Sequence, residues 1–163
     1  MDQNVIVHDT RDRPEKHKGV DAYFKRAGYR IVRSKLFVGD VTFLHDQSIC
    51  VDIKQDVIEL GMDVYQEHRR FRDECIRAQE SGIQLIVLTQ EALPDDRLDK
   101  WISPVYRSYG PGHRPGDPVS KIDPAHMRKV LATMQEKYGV KFRFCDGRSA
   151  GKQIIEYLKG ERI

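Results

Sequence analysis

The sequence predicts an α/β protein, a sandwich of helices around a mixed β-sheet. Three observations carry that expectation. Short β-branched runs alternate with stretches whose apolar residues recur at helical spacing. Residues 83–89, IQLIVLT, form one continuous apolar run, as in a strand buried on both faces. Between Val38 and Lys54, two apolar segments flank the turn residues His45-Asp46-Gln47, the pattern of a hairpin.

Taken in order, Asn4 to His8 (NVIVH) reads as a buried strand running into the charged loop DTRDRPEK. Val20, Tyr23, Phe24 and Ala27 then share a helical face, and Gly28 supplies a stop, which predicts a helix over about 18–28. Three apolar segments follow, Tyr29–Leu36, Val38–Leu44 and Ser48–Lys54, a strand and then a hairpin whose return strand is CVDIK. Val64, His68, Phe71, Cys75 and Ala78 lie four, three, four and three apart, which predicts one amphipathic helix from about 64 to 80, closed by Gly82 before the 83–89 strand.

Residues from about 90 to 122 break the pattern, with five prolines and three glycines around Trp101, Tyr106 and Tyr109. A connection this long without periodicity is functional or mobile. Asp123-Pro124 then reads as an N-cap followed by proline at the first helical position, and Met127, Val130, Leu131, Met134 and Tyr138 form the stripe of that helix. VKFRFC alternates as a strand, and Ser149 is positioned to cap a last helix carrying Ile154, Ile155 and Leu158. The order is β-α-β-β-β-α-β, a long loop, then α-β-α.

A chain of 163 residues is expected to form a single domain over 1–163. No stretch approaches the roughly 20 apolar residues of a spanning helix. The start, MDQNVIVHDT, lacks the basic and apolar regions of a signal peptide, so a cytoplasmic or nuclear protein is expected. Cys50, Cys75 and Cys145 are odd in number and widely spaced, which favours buried reduced thiols over a zinc or disulfide framework. With 28 basic and 25 acidic residues the net charge is +3. This mildly basic balance permits a nucleic-acid partner without demanding one. Basic residues are denser locally, nine in the first 35 residues against five acids, and three arginines in HRRFR at 68–72.

The chemistry gathers at the hairpin. Side chains alternate along a strand, so Asp52 and Lys54 share one face while Val51 and Ile53 point into the core. Gly39-Asp40 opens the preceding strand and brings a second carboxylate toward Asp52. Two converging carboxylates repel unless a cation sits between them. The set therefore suits a hard divalent ion such as Mg²⁺ or Mn²⁺, held by Asp40, Asp52 and the Ile53 carbonyl, with Lys54 beside it. The bland alternative is an exposed Asp52–Lys54 salt bridge.

The wider pattern decides between them. His8-Asp9-Thr10-Arg11-Asp12 follows the first strand, then come Lys35-Leu36-Phe37-Val38-Gly39-Asp40 and Val51-Asp52-Ile53-Lys54. This order resembles the nuclease domain of the XPF family (the ERCC-four-type domain, within the PD-(D/E)XK nucleases). That family carries D-x-R-E after the first strand, then V-G-D, then E-R-K on the return strand. The resemblance covers residues 4 to about 91, including the helix RFRDECIRA, and assigns catalytic roles to Asp9, Arg11, Asp40, Asp52 and Lys54. Asp12 stands in place of the Glu of the first motif, Ile53 replaces the central Arg of the third, and Ile58 stands where an Asp is usual, a gap that Asp56 or Glu59 would have to fill.

The resemblance implies a restriction-endonuclease-like three-layer sandwich, with a central mixed sheet flanked by helices. It also implies a Mg²⁺- or Mn²⁺-dependent DNA endonuclease, acting on branched or flapped DNA in repair or recombination. No helix-hairpin-helix pair follows, so a stand-alone nuclease domain is expected, with a homodimer or partner chain left open. Two other readings stay open: a non-catalytic DNA-binding scaffold on the same fold, and a junction-resolvase or restriction-type nuclease.

For DNA contact, Arg11, Arg13, Arg69 and Arg72 are the candidates, although Arg69, Arg70 and Arg72 cannot share one helix face. Trp101, Tyr106 and Tyr109, interleaved with Arg97, Lys100 and Arg107, fit either base stacking or packing back on the domain. His68 is either a hydrogen-bonded core or rim residue or one that faces the site. Gly147 to Lys152 is one residue short of a phosphate-binding loop and reads as an ordinary helix start.

Overall fold

β1 (Val5–His8) lies second from one edge of a six-stranded sheet in the computed structural model, which describes residues 3–65, 67–91 and 124–162. The segment 92–123, with Trp101, Tyr106 and Tyr109, lies outside the described residues, as does the expected cap Asp123. After β1 come α1 (Lys18–Arg26), β2 (Arg30–Arg33), β3 (Val41–Phe43), β4 (Ile49–Lys54), α2 (Val57–Tyr65), α3 (His68–Glu80) and β5 (Gln84–Thr89). The chain ends with α4 (Pro124–Tyr138), β6 (Lys141–Phe144), a 3₁₀ turn (Gly147–Ser149) and α5 (Ala150–Leu158).

The strand order is β2-β1-β3-β4-β5-β6. β1 pairs parallel with β2 and antiparallel with β3, and β3 and β4 form the expected antiparallel hairpin. β4–β5 and β5–β6 are parallel, the first in the register Asp52↔Val87 and Lys54↔Thr89. The sheet is therefore mixed, with helices on both faces. Val20 and Phe24 of α1 pack with Ile154, Tyr157 and Leu158 of α5 against Val51, Ile53, Ile86 and Leu88. On the other face Leu60 of α2, Phe71 and Cys75 of α3, and Met127 and Leu131 of α4 cover Cys50, Leu85, Val87 and Phe142. Each fully buried Phe or Leu contributes about 1.5–3 kcal/mol through the apolar surface it removes from water. The three cysteines are buried and free, as expected. Among the described residues no helix is long and apolar enough to cross a membrane.

Two expectations change. The helix expected over 64–80 begins only at His68, as α3, and a separate helix that the spacing did not predict, α2 over 57–65, precedes it. The apolar spacing runs through the break because Val64, at the end of α2, packs in the same core as Phe71 and Cys75. A periodicity count therefore sees one helix where the chain makes two. Asp56 caps the earlier one, its Oδ1 accepting the Glu59 amide at 2.9 Å, a local signal that the spacing does not register. At the end of the chain, Asp146 is the capping residue and Ser149 is not. The Asp146 carboxylate accepts the Arg148 amide at 2.8 Å, while the Ser149 hydroxyl donates to the Asp146 carbonyl at 2.9 Å.

Candidate active site

The return strand sets the site. Because residues alternate, Val51 and Ile53 enter the α1/α5 core while Asp52 and Lys54 turn toward α2 and α3. They are not the exposed pair of the bland reading: Asp52 is 5 % and Lys54 7 % exposed. Lys54 Nζ lies 3.1 Å from Asp52 Oδ1, 2.9 Å from its Oδ2, and 2.5 Å from Asp63 Oδ2 of α2. Phe71 of α3 lies beneath the ammonium, its ring centre 5.9 Å away.

Asp40 reaches this cluster from the other arm of the hairpin. Its amide donates to the Val51 carbonyl at 2.8 Å, and its Oδ2 accepts the Ile53 amide at 2.7 Å. The carboxyl groups of Asp40 and Asp52 meet. Gly39 makes this approach feasible. It sits at φ +71°, and a Cβ there would fall 3.1 Å from the Cys50 Cβ and 3.2 Å from the Val51 carbonyl oxygen. Its amide donates to Glu74 Oε1 of α3 at 2.8 Å. Since N–H and C=O of one strand residue point to the same edge, the Ile53 carbonyl lies on the edge where Asp40 stands.

Asp9 is used differently. Its Oδ1 accepts the Arg11 amide and Nε at 2.7 and 2.9 Å, and its Oδ2 accepts Arg11 Nη2 and the Leu36 amide, both at 2.7 Å. The Asp9 amide donates to the Asp40 carbonyl at 2.7 Å. Asp9 thus ties the end of β1 to the loop that delivers Gly39-Asp40.

Charge follows burial and partners. For Asp40, burial and the neighbouring Asp52 both push the pKa well above the ordinary carboxylate value. Burial would also raise Asp52, but the Lys54 charge and hydrogen bonds from Lys54 and Asp40 outweigh it and the shift is downward. Burial disfavours the Lys54 ammonium, yet Asp52, Asp63 and Asp40 together raise its pKa well above the usual lysine value. Burial and Lys54 pull Asp63 in opposite directions, with a net rise, and burial with the Asp52 charge raises Glu74.

These groups line one cavity of about 270 Å³, room for a hydrated ion and a phosphate group. Asp9, Arg11, Asp40, Asp52, Ile53 and Lys54, all expected from the sequence, line it together. Arg13 and Arg69 are exposed and, with Arg72, lie outside the lining; Arg72 pairs with Asp73 at 3.3 Å. The arginines that α3 turns toward the cavity are Arg70 and Arg77, seven residues apart on one helix face with Glu74 between them. Of the two candidates for the missing acid, Glu59 lines the cavity, where it pairs with Lys16, and Asp56 serves as the α2 cap. His68 is exposed, with Nδ1 3.1 Å from the Val64 carbonyl, and does not line the cavity. Asp63 and Glu74 carried no motif. Their only signal was their position on the buried-side flank of the helices that follow β4.

Residues 9–158 match the ERCC4 domain. The chain belongs to the ERCC4-domain family. The ERCC4 fold is seen in two structures of XPF from Aeropyrum pernix. One aligns with TM-score 0.61 at 18 % identity, covering 97 % of this chain and 66 % of that one. The other, a complex with DNA, aligns with TM-score 0.57 at 18 % identity, covering 95 % and 62 %. The chain thus spans a little under two thirds of the XPF chains it aligns with. No curated protein matches in sequence.

This ERCC4 site fits a divalent cation on its own geometry. Two touching buried carboxyl groups can stay close only by sharing a proton or a cation. Two carboxylates and a carbonyl form an all-oxygen donor set, as hard cations require.

Proposed function

We propose that this ERCC4 domain is a metal-dependent DNA endonuclease that hydrolyses phosphodiester bonds, with branched or flapped DNA as its substrate class. The family and the XPF-like fold support a DNA nuclease. The contact between Asp40 and Asp52 beside Lys54, at the base of a cavity rimmed by arginines, is the observation that carries the reading.

Asp40, Asp52 and the Ile53 carbonyl are the groups that would hold the ion. A cation bound there supplies Lewis acidity toward the phosphate and its attacking water. Lys54 remains an ammonium at neutral pH, because its pKa is raised, so it acts as a fixed positive charge and donor and not as a base. Its Nζ holds Asp52 and Asp63 in place and faces the position where charge develops on phosphate. Arg70, Arg77 and Arg11 at the rim suit phosphate oxygens, which guanidinium groups bind with two parallel donors. Asp9 positions Arg11 and the Asp40 loop.

The test is purified protein with Mg²⁺ or Mn²⁺ on labelled flap, fork, junction and linear DNA. Cleavage that needs the ion and the Asp52 carboxylate is the expected result. DNA binding without cleavage under any ion or substrate would favour a scaffold.

A further inference from the structure

On the β1 side of Asp40 lies a second group of donors that the reading above does not use. Asp12, in the turn after β1, and His17, the residue before α1, are both buried. One donor atom from each of Asp12, His17 and Asp40 lies within 4.8 Å of the other two. The His17 side chain is 1 % exposed, and its Nε2 has no hydrogen-bond partner. That nitrogen is 3.6 Å from Asp12 Oδ1, beyond hydrogen-bonding reach. Two ligands each about 2.1–2.2 Å from one cation leave a gap of this size between them.

The surroundings are arranged in the same sense. His8 Nε2 donates to Asp12 Oδ2 at 2.7 Å, and His8 Nδ1 lies 2.8 Å from Asp21 Oδ1, so Asp12 is anchored through one oxygen and turns the other toward His17. On the far side of the His17 ring, Nδ1 lies 3.3 Å from the Gln90 amide. Turning that amide over presents its oxygen to Nδ1–H, the tautomer that leaves Nε2 free to ligate.

We infer that Asp12, His17 Nε2 and Asp40 form a second divalent-cation site, with Asp40 as the carboxylate shared between it and the Asp40/Asp52 site. The inference rests on Asp40 being a cation ligand, as in the reading above, and adds a nitrogen donor. A nitrogen donor shifts preference toward Mn²⁺ and later transition ions, relative to Mg²⁺, which an all-oxygen set suits.

Mn²⁺ titration of the full chain, followed by electron paramagnetic resonance, tests this without reference to cleavage. The wild type should bind two Mn²⁺, one showing ¹⁴N coupling from an imidazole. His17→Ala should bind one, lose the ¹⁴N coupling, and weaken Mn²⁺ at the second site at least tenfold. Asp52→Asn should keep the nitrogen-coupled ion and lose the other. If His17→Ala does not fold, His17→Gln and the paramagnetic broadening of the His17 ring in wild-type protein replace it. A single Mn²⁺ without ¹⁴N coupling, or coupling that survives loss of His17, overturns the second site and leaves the nuclease reading intact. No Mn²⁺ at all overturns both.

Discussion

Asp9 and Asp52 are both buried carboxylates in the same cavity, and they are treated in opposite ways. Asp9 accepts four hydrogen bonds, and burial, which would raise its pKa, is outweighed by bonds from Arg11 and Leu36 that lower it. Asp52 shares the Lys54 ammonium, 3.1 and 2.9 Å from its two oxygens, and has a second carboxyl group pressed against it. A satisfied carboxylate is structural. A buried carboxylate crowded by a second one is costly to hold and persists where something else is to bind.

The largest expected effect separates these roles through activity. Asp52→Asn removes one charge at nearly constant volume, so cleavage should fall about a thousandfold or more, about 4 kcal/mol of barrier. DNA binding in a filter or anisotropy assay should be retained, since it depends on arginine contacts with phosphate. Wild-type cleavage by this variant would move the active site elsewhere.

Asp9→Asn should act on folding instead. An amide group turned toward the Leu36 or Arg11 donors leaves them unpaired, and stability should drop by about 2–3 kcal/mol in urea titrations. Because the Arg11 side chain is half exposed, the lost hydrogen bonds dominate over the screened charge pair. An unchanged midpoint would mean that the clasp is not structural.

The rim gives a smaller effect. Arg70→Ala or Arg77→Ala should each weaken DNA binding about tenfold and flatten its salt dependence, because each released phosphate contact lowers the slope by about one. Arg69→Ala, on the outer side of α3, should change it less. Equal losses at all three would argue for diffuse surface charge.

The smallest effect is one of sign. In a chelator, Asp40, raised in the fold, contributes stability that is present below the ordinary carboxylate pKa of 3.8 and lost as pH climbs to its raised value. Asp9, lowered in the fold, contributes stability present above 3.8 and lost on further acidification. Asp40→Asn keeps the acceptor for the Ile53 amide and offers Asp52 a donor. Its melting temperature in chelator should therefore exceed the wild type's at neutral pH by a few degrees, and the gap should close near pH 4. A gap that widens on acidification would reverse the assignment.

The hairpin chemistry was legible in the sequence because strand alternation is local: Asp52 and Lys54 had to share a face, and Gly39 had to admit Asp40. The order of the strands was legible for the same reason. What the chain could not disclose depends on helix phase and distant approach. The separate start of α3 at His68 sets its phase, and that phase turns Arg70 and Arg77 toward the cavity and leaves Arg69 outside it. Glu74 meets Gly39, and His17 nears Asp12 and Asp40, only once three elements have assembled, and no spacing rule reports that.

The contact between α1 and α5 bears on how the chain reaches this state. Gly151 sits against Tyr23 so closely that a methyl group there would fall 2.6 Å from the Tyr23 Cβ. These helices are far apart in sequence, yet they jointly cover the Val51/Ile53 face of β4. Closing so long a loop costs chain entropy before any contact repays it, which makes folding slow. During synthesis that face of the sheet remains open until α5 has emerged from the ribosome. The active-site strand thus shares with β1 and β3 a long wait for its covering helix, during which the nascent chain needs protection from aggregation.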